Sequence, residues 1–378
     1  MQLKEFSLDG YLEKLEDVVN IDSGSFDKEG VEEVALYFKK LYDQLGLYTK
    51  LHYINENAGP ALEVRNNPDS EKVDILLLGH MDTVFSKGTV KDRPFSTNGN
   101  MAYGPGVIDM KAGLMSIYYA IKELKDEFDG KVNICILHNP DEEISSRYSR
   151  SMIEEIAKNS NYALILEAAR VDGELVYKRK GLAKYKITFT GKAAHSGVDP
   201  ENGISAINEL AYYVEKLHDM NNYDVGTSVN VGIIEGGTQA NVIAESASLT
   251  VDLRYTDINE FNKIINQINE LVENPITKGI KVEVEQLGQR PPMNPSEKTK
   301  RVYKLIEEVG EDVGVKVEWK ATGGGSDANF TAALGVPTVD GLAPIGGADH
   351  GVDEYMEIDS IEPRLKLLVE TMRRLPNL

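Results

Sequence analysis

The period of the apolar positions changes several times along the chain, and each change predicts an element. Leu12, Leu15, Val18 and Val19 recur at helical spacing, and after breaks at Gly24 and Gly30 the pattern resumes with Val31, Val34, Ala35, Phe38 and Leu41. The N-terminal part therefore reads as helices. Beyond it, short unbroken apolar runs alternate with amphipathic stretches. The runs 73–78, 132–137 and 163–166 are strand-like, whereas 112–124 and 152–157 repeat with helical period. The same style returns near the C-terminus, where helices are predicted over 302–309, 328–334 and 361–375, and a strand over 336–339. Strands apolar on both sides belong to a sheet covered by helices on both faces, which predicts an α/β fold.

The middle of the chain follows another rule. From Gly181 the order is an alternating strand (Tyr185, Ile187, Phe189), a helix (204–217), two strands (228–234 and 246–253), a helix (258–272) and a strand (280–284). This β-α-β-β-α-β order is the ferredoxin-like, split-βαβ signature, so an inserted domain is more economical than one long sheet. Arg-Lys-Gly and Arg-Pro-Pro punctuate its edges. The expected division is 1–180 for the first part of the main domain, 181–291 for the insert and 292–378 for the second part. No internal repeat and no low-complexity segment competes with this reading.

Composition narrows the partners. Among 378 residues, 61 Asp and Glu outweigh 41 Lys and Arg, leaving a formal charge of −20. An acidic excess of this size argues against a nucleic-acid or anionic-membrane partner, because phosphate attracts concentrated Lys and Arg. The single cysteine, Cys135, excludes an intrachain disulfide and lies in an apolar run, where core is its simplest role. The N-terminus shows no apolar leader, and no stretch reaches the length of a membrane span, so a cytoplasmic protein is expected.

The chemistry is concentrated just past the strands. The run Val-Asp-Ile-Leu-Leu-Leu ends in Gly79-His80-Met81-Asp82-Thr83, and Val-Asn-Ile-Cys-Ile-Leu ends in His138-Asn139-Pro140-Asp141-Glu142-Glu143. Ala-Leu-Ile-Leu ends in Glu167, and the last strand leads through glycine-rich sequence to Asp349-His350. Open α/β sheets place their ligand crevices outside the carboxyl ends of the strands. Two histidines, His80 and His350, thus fall together with Asp82, Asp109, Glu142, Glu143 and Glu167. So many carboxylates in one place would raise one another's pKa values unless a cation compensated them. Mixed His and carboxylate ligation without thiolates is the habit of catalytic rather than structural zinc, and a shared carboxylate makes a two-metal site.

The segments Gly79-His80-Met81-Asp82-Thr83-Val84, Gly104-Pro105-Gly106-Val107-Ile108-Asp109-Met110-Lys111, Asp141-Glu142-Glu143, Ala194-His195-Ser196-Gly197 and Gly323-Gly324-Gly325-Ser326-Asp327 occur in this order. Together they resemble the M20 family of metallopeptidases, most closely its carboxypeptidase G2-like branch, across nearly the whole chain. The resemblance implies a mixed-sheet zinc-peptidase domain with an inserted lid and dimerisation domain. It also implies two divalent ions per protomer, zinc first with cobalt or manganese as alternatives. Asp109 would bridge them; Glu143 and His350 would complete one site, and His80 and Glu167 the other. Glu142 would be the general base, Asp82 the residue that orients His80, and His195 a donor to the oxyanion across a dimer interface. Asn241 and Arg290 resemble positions that hold a substrate carboxylate. A cis peptide bond after Asp109 is a further implication. Two departures, Gly351 after the last histidine and Ala112 after Lys111, touch neither ligand nor base.

Blander roles exist for each residue taken alone. His80 could be a satisfied strand-end histidine, Asp109 an N-cap for the following helix, Glu142 and Glu143 a solvated loop pair, His195 a surface or capping residue, and Arg290 an exposed linker residue. The expected reaction is hydrolysis of the amide bond of a small peptide or N-acyl amino acid with a free C-terminal carboxylate. The rivals are a deacylase, an amino- or dipeptidase with the same centre, and a non-catalytic relative. No role attaches to His52, His138 or His218.

Overall fold

The run that begins at Val73 forms a strand, Val73–His80, in which only Asp74 escapes full burial. Its side chains alternate between two cores. Ile75 and Leu77 pack with the helices Leu8–Val19, Lys28–Gln44, Ala112–Phe128 and Ile361–Arg374 on one face. Leu76 and Leu78 pack with Arg150–Lys158 and Ala328–Ala333 on the other. A strand covered on both sides must be apolar at every position, which is why its sequence is continuous rather than alternating.

The computed structural model describes residues 2–378. The chain divides into two units: one comprises the chain up to Lys178 with Met293–Thr322 and Ser326–Leu378, the other Arg179–Pro292 with Gly323–Gly325. In the first, six strands form a mixed sheet in the order Tyr48–His52, Ala61–Arg65, Ile134–Asn139, Val73–His80, Ser160–Ile165, Thr338–Val339. The last four run parallel, and the first two join antiparallel. The hydrophobic pattern did not announce Tyr48–His52 or Ala61–Arg65. The former is an edge strand that leaves Tyr48 and Lys50 exposed and carries no apolar run. The expected strand 336–339 shrinks to Thr338–Val339, since Pro337 has no N–H for a ladder.

Helix ends are set locally. Ser7 and Ser296 accept hydrogen bonds from the backbone of Gly10 and Thr299, and Ser296 and Thr299 form a reciprocal capping box. Gly314 closes the helix Glu297–Val313 at φ 76°, a left-handed conformation that suits glycine.

The second unit is a four-stranded antiparallel sheet in the order Ser228–Gly236, Ser246–Tyr255, Gly181–Thr190, Lys281–Arg290. Its helices are Ala206–Asp219 and Ile258–Glu273. Its core gathers Ile187, Phe189, Tyr213, Leu249, Val251 and Ile268. The final strand extends well beyond the expected 280–284 and ends at Arg290. Among the described residues, no helix is long and apolar enough to cross a membrane.

Candidate metal centre

Register brings the strand-end residues together. His80 lies opposite Asn139 and Leu78 opposite Ile165 in parallel pairing. His80, the Glu142-Glu143 pair and Glu167 therefore emerge at one edge of the sheet. Asp109 arrives from the loop between Met101–Tyr103 and the helix Ala112–Phe128. Gly106 turns that loop at φ 73°, and a Cβ there would stand 2.5 Å from Thr83 Cγ2. The Asp109–Met110 peptide bond is cis, as the resemblance implied. His350 occupies the left-handed region at φ 64°, a conformation uncommon for a residue with a Cβ and frequent at functional sites.

Asp109 stands between the two histidines. Its Oδ1 lies 3.0 Å from His80 Nε2 and its Oδ2 3.1 Å from His350 Nε2. Glu143 Oε2 is 3.3 Å from His350 Nε2, and Glu167 Oε1 is 3.9 Å from His80 Nε2. One ligand atom from each of His80, Asp109 and Glu143 falls within 4.8 Å of the others. Asp109 does not cap the helix that follows; Lys111 holds that position, with no side-chain bond.

Asp82 lies behind this set and is fully buried. Its Oδ1 accepts from the Glu142 N–H at 3.0 Å, and its Oδ2 from the Glu143 N–H at 3.1 Å and the Ser25 hydroxyl at 2.7 Å. His80 Nδ1 lies 2.9 Å from the Asp82 carbonyl and 3.4 Å from its carboxylate. With Nδ1 so engaged, Nε2 is the nitrogen turned to Asp109. Two supporting residues carried no sequence motif. Ser25 is one. The other is Glu354, whose buried carboxylate accepts from the N–H groups of Gly106 at 2.9 Å, Ile108 at 3.0 Å and Asp109 at 3.1 Å. The sequence offers a hint for Glu354 alone, a polar residue four positions after His350; Ser25 lies beside no recognised segment.

The electrostatics call for cations. Burial pushes the Glu167 carboxyl well above its ordinary range, only partly offset by His80. Burial likewise raises Glu143 against the hydrogen bond from His350. At Asp109 burial is outweighed by hydrogen bonds from His350 and His80, and the carboxyl is held low. The histidines mirror this. Hydrogen bonds to Asp109 and Glu143 lift His350 to about 11, and His80 rises well above its ordinary value although burial opposes it. Glu143 Oε1 is buried with no hydrogen-bond partner, as an oxygen reserved for a cation would be. The donor set therefore fits divalent metal ions.

The remaining predicted residues lie in the second unit. His195 and Asn241 are exposed neighbours: His195 bridges to Val242, and the Ser196 N–H donates to the Asn241 carbonyl at 3.0 Å. The His195 ring is turned to its own loop, with Nδ1 accepting from the Gly197 N–H at 3.1 Å. Arg290 is not an exposed linker residue; it is buried at the end of its strand. Gly325 packs so closely that a Cβ would meet Arg290 Cδ at 3.0 Å. The Gly323–Gly325 loop is fastened by its carbonyls, which accept from Arg254 and Arg179.

Comparison with known proteins agrees with this geometry. Residues 76–374 match the model of peptidase family M20/M25/M40. The chain is 31% identical over 366 residues to carboxypeptidase G2 of Pseudomonas sp. (strain RS-16), covering 94% of this chain and 86% of that one. It is 27% identical to acetylornithine deacetylase of Shigella sonnei, covering 79% of each. Among solved structures, a tripeptidase from Staphylococcus aureus superposes with a TM-score of 0.77 at 21% identity, covering 99% of this chain and 100% of that one.

Proposed function

Because the chain belongs to peptidase family M20/M25/M40, and is thereby a metal-dependent hydrolase of peptide or amide bonds, we propose that it cleaves small peptides or N-acyl amino acids with a free C-terminal carboxylate through a two-metal centre. The observation that carries this reading is Asp109, whose two oxygens face different imidazoles at 3.0 and 3.1 Å. A carboxylate so divided is suited to bridge. Asp109, Glu143 and His350 would hold one ion, and Asp109, His80 and Glu167 the other, with zinc first and cobalt or manganese as alternatives. Bound there, the ions would supply Lewis acidity towards water and the scissile carbonyl.

The chain's own residues do the rest. Glu142 takes the proton of the attacking water and returns it to the leaving amine. Asp82 supports that role by fixing the backbone of both Glu142 and Glu143. His195 donates to the oxyanion. Asn241 and Arg290 hold the substrate carboxylate, a group that suits a guanidinium. The test joins metal analysis to one substitution. Glu142→Gln should keep its metal content and lose about two to four orders of magnitude in turnover. Undiminished turnover removes Glu142 from the base role, and fewer than one firmly held ion in the wild type removes the two-metal centre.

The likeness to acetylornithine deacetylase supports a second reading, removal of an acyl group from an amino acid by the same centre. Arg290→Ala discriminates in part, since it should mainly raise KM for substrates that end in a carboxylate; an unchanged KM favours an aminopeptidase-like pose. Dimerisation through the inserted unit is also proposed. Its outer strand Ser228–Gly236 exposes Ile233 and Ile234, an apolar edge of the kind that proteins pair or cover. Sedimentation as a monomer at assay concentration would contradict a trans role for His195.

A further inference from the structure

A cleft of about 470 Å³ opens within the first unit at the end of the sheet remote from the metal cluster, a volume typical of small-molecule sites. Ser160, Asn161 and Tyr162 line it and begin the strand Ser160–Ile165, whereas Glu167 follows the other end of that strand. At about 3.3 Å per residue the two ends stand roughly 16 Å apart. The cleft is therefore separate from the centre described above. Its remaining walls come from the last turn of the helix Arg150–Lys158, the first two turns of Glu297–Val313, and the turn 334–337.

The charge of this cleft is the reverse of the chain's. Acids outnumber bases by 61 to 41 in the sequence, yet the lining holds Lys158, Lys298 and Arg301 and no Asp or Glu. Cations further along the same helix are paired, Lys300 with Glu297 at 2.6 Å and Lys304 with Glu308 at 3.9 Å. Glu297, one turn before Arg301, is thus committed to Lys300. Among the described residues, Lys158, Lys298 and Arg301 enter no ion pair, and the terminal carboxylate of Leu378, which reaches the lining, pairs with none of them. Lys158 suits the C-terminal turn it occupies. Lys298 does not suit its own place, the first turn of a helix, where the peptide dipoles favour an anion over a cation. Neither ion pairing nor helix polarity accounts for the grouping of these side chains around one concave surface.

We propose that this cleft binds a small, multiply charged anion, a phosphate ester or a polycarboxylate, distinct from the substrate of the metal centre. Lys158, Lys298 and Arg301 share its charge, and the planar guanidinium of Arg301 is suited to take two of its oxygens. Tyr162, whose hydroxyl makes no hydrogen bond among the described residues, supplies a further donor. A single carboxylate would answer one cation of three, so the ligand carries at least two charges. The acidic surface repels anions at a distance. Affinity must then come from contacts inside the cleft and depend on these side chains.

The test is isothermal titration calorimetry of the full chain with inorganic phosphate, tricarballylate and acetate, both metal-loaded and after chelator treatment. Phosphate or tricarballylate should bind in both states and acetate in neither; the tighter of the two identifies the ligand as a phosphate ester or a polycarboxylate. Arg301→Ala should weaken binding about tenfold, and Lys298→Ala combined with Arg301→Ala should abolish it. Lys281→Ala, which removes an exposed cation from the other unit, should leave it unchanged. Lys298 and Arg301 are exposed, so these variants should unfold in urea near the wild-type midpoint. Absence of binding by both phosphate and tricarballylate overturns the proposal. So does acetate binding as tightly as either, an affinity untouched by the two substitutions, or binding seen only with metal present, which would put the anion at the metal centre. None of these outcomes depends on amide hydrolysis, so the proposal and the hydrolase reading stand or fall separately.

Discussion

Replacing Asp82 by asparagine should loosen the segment that carries the proposed base, Glu142, and one proposed ligand, Glu143, even in metal-free protein. The carboxylate accepts three hydrogen bonds, from the Glu142 and Glu143 N–H groups and the Ser25 hydroxyl, at 3.0, 3.1 and 2.7 Å. Asparagine offers one carbonyl oxygen. If that oxygen takes the place of Oδ1 it keeps Glu142, and the amide NH2 then faces the Glu143 N–H. Ser25 can adapt, because a hydroxyl accepts as readily as it donates. The backbone N–H cannot. A hydrogen bond to a charged group contributes about 1.5–3 kcal/mol, and a buried donor left unpaired costs about 1–3 kcal/mol, so Asp82→Asn should weaken this segment by roughly 2–4 kcal/mol. Hydrogen exchange read by mass spectrometry on a peptide spanning Glu142 and Glu143 measures it directly. Where these amides exchange by local opening, exchange should accelerate roughly thirtyfold to several hundredfold. Both wild type and variant are stripped with chelator first, so that metal cannot mask the change. Exchange within threefold of wild type would refute the assignment of Asp82 as the clamp on Glu142 and Glu143.

Glu354→Gln should lower metal affinity about tenfold to a hundredfold in chelator competition, because the amide NH2 must face either Gly106 N–H or the Ile108 and Asp109 pair; unchanged affinity removes Glu354 as a support of Asp109. His138 gives a pH prediction. Burial lowers it to about 3, below the unfolded value of about 6.5, so between these the unfolded chain binds the extra proton and stability falls as pH drops. Near pH 5 the loss is about 2 kcal/mol, and the metal-free urea midpoint of His138→Phe should fall less between pH 7 and 5 than that of wild type; parallel declines would sink the idea.

How much of this was legible in the sequence depended on how each contact is made. Val73–His80 and Ile134–Asn139 could be read because double-sided burial writes a continuous apolar run. Ala61–Arg65 could not, since its Glu63 and Arg65 pair with each other and interrupt the run. His80, Glu142, Glu143 and Glu167 were legible as polar residues immediately past apolar strands. Ser25 and Glu354 were not. Their bonds reach 57 positions to Asp82 and 245 to Asp109, and nothing in a local pattern records a partner at that distance. The glycine loop is fastened through its carbonyls, by Arg179 and Arg254 from strands remote in sequence, and no local pattern records those partners.

The centre thus draws on two kinds of support. Residues borne by strands inherit their positions from the sheet: once the apolar pattern fixes register, His80 must stand opposite Asn139, and Leu166 must donate to Leu78 just before Glu167. Shifting any of them by one residue would send each strand's side chains into the opposite core and force both cores to repack. Asp109 and His350 have no such guarantee, because both come from loops with left-handed residues at Gly106 and His350. Glu354 supplies what register cannot, tying Gly106, Ile108 and Asp109 to the segment that carries His350. A substitution at Glu354 should therefore impair the metal site proposed for Asp109, Glu143 and His350 more than a substitution of equal chemistry in the strand interior, whose damage would appear as lost stability before lost metal.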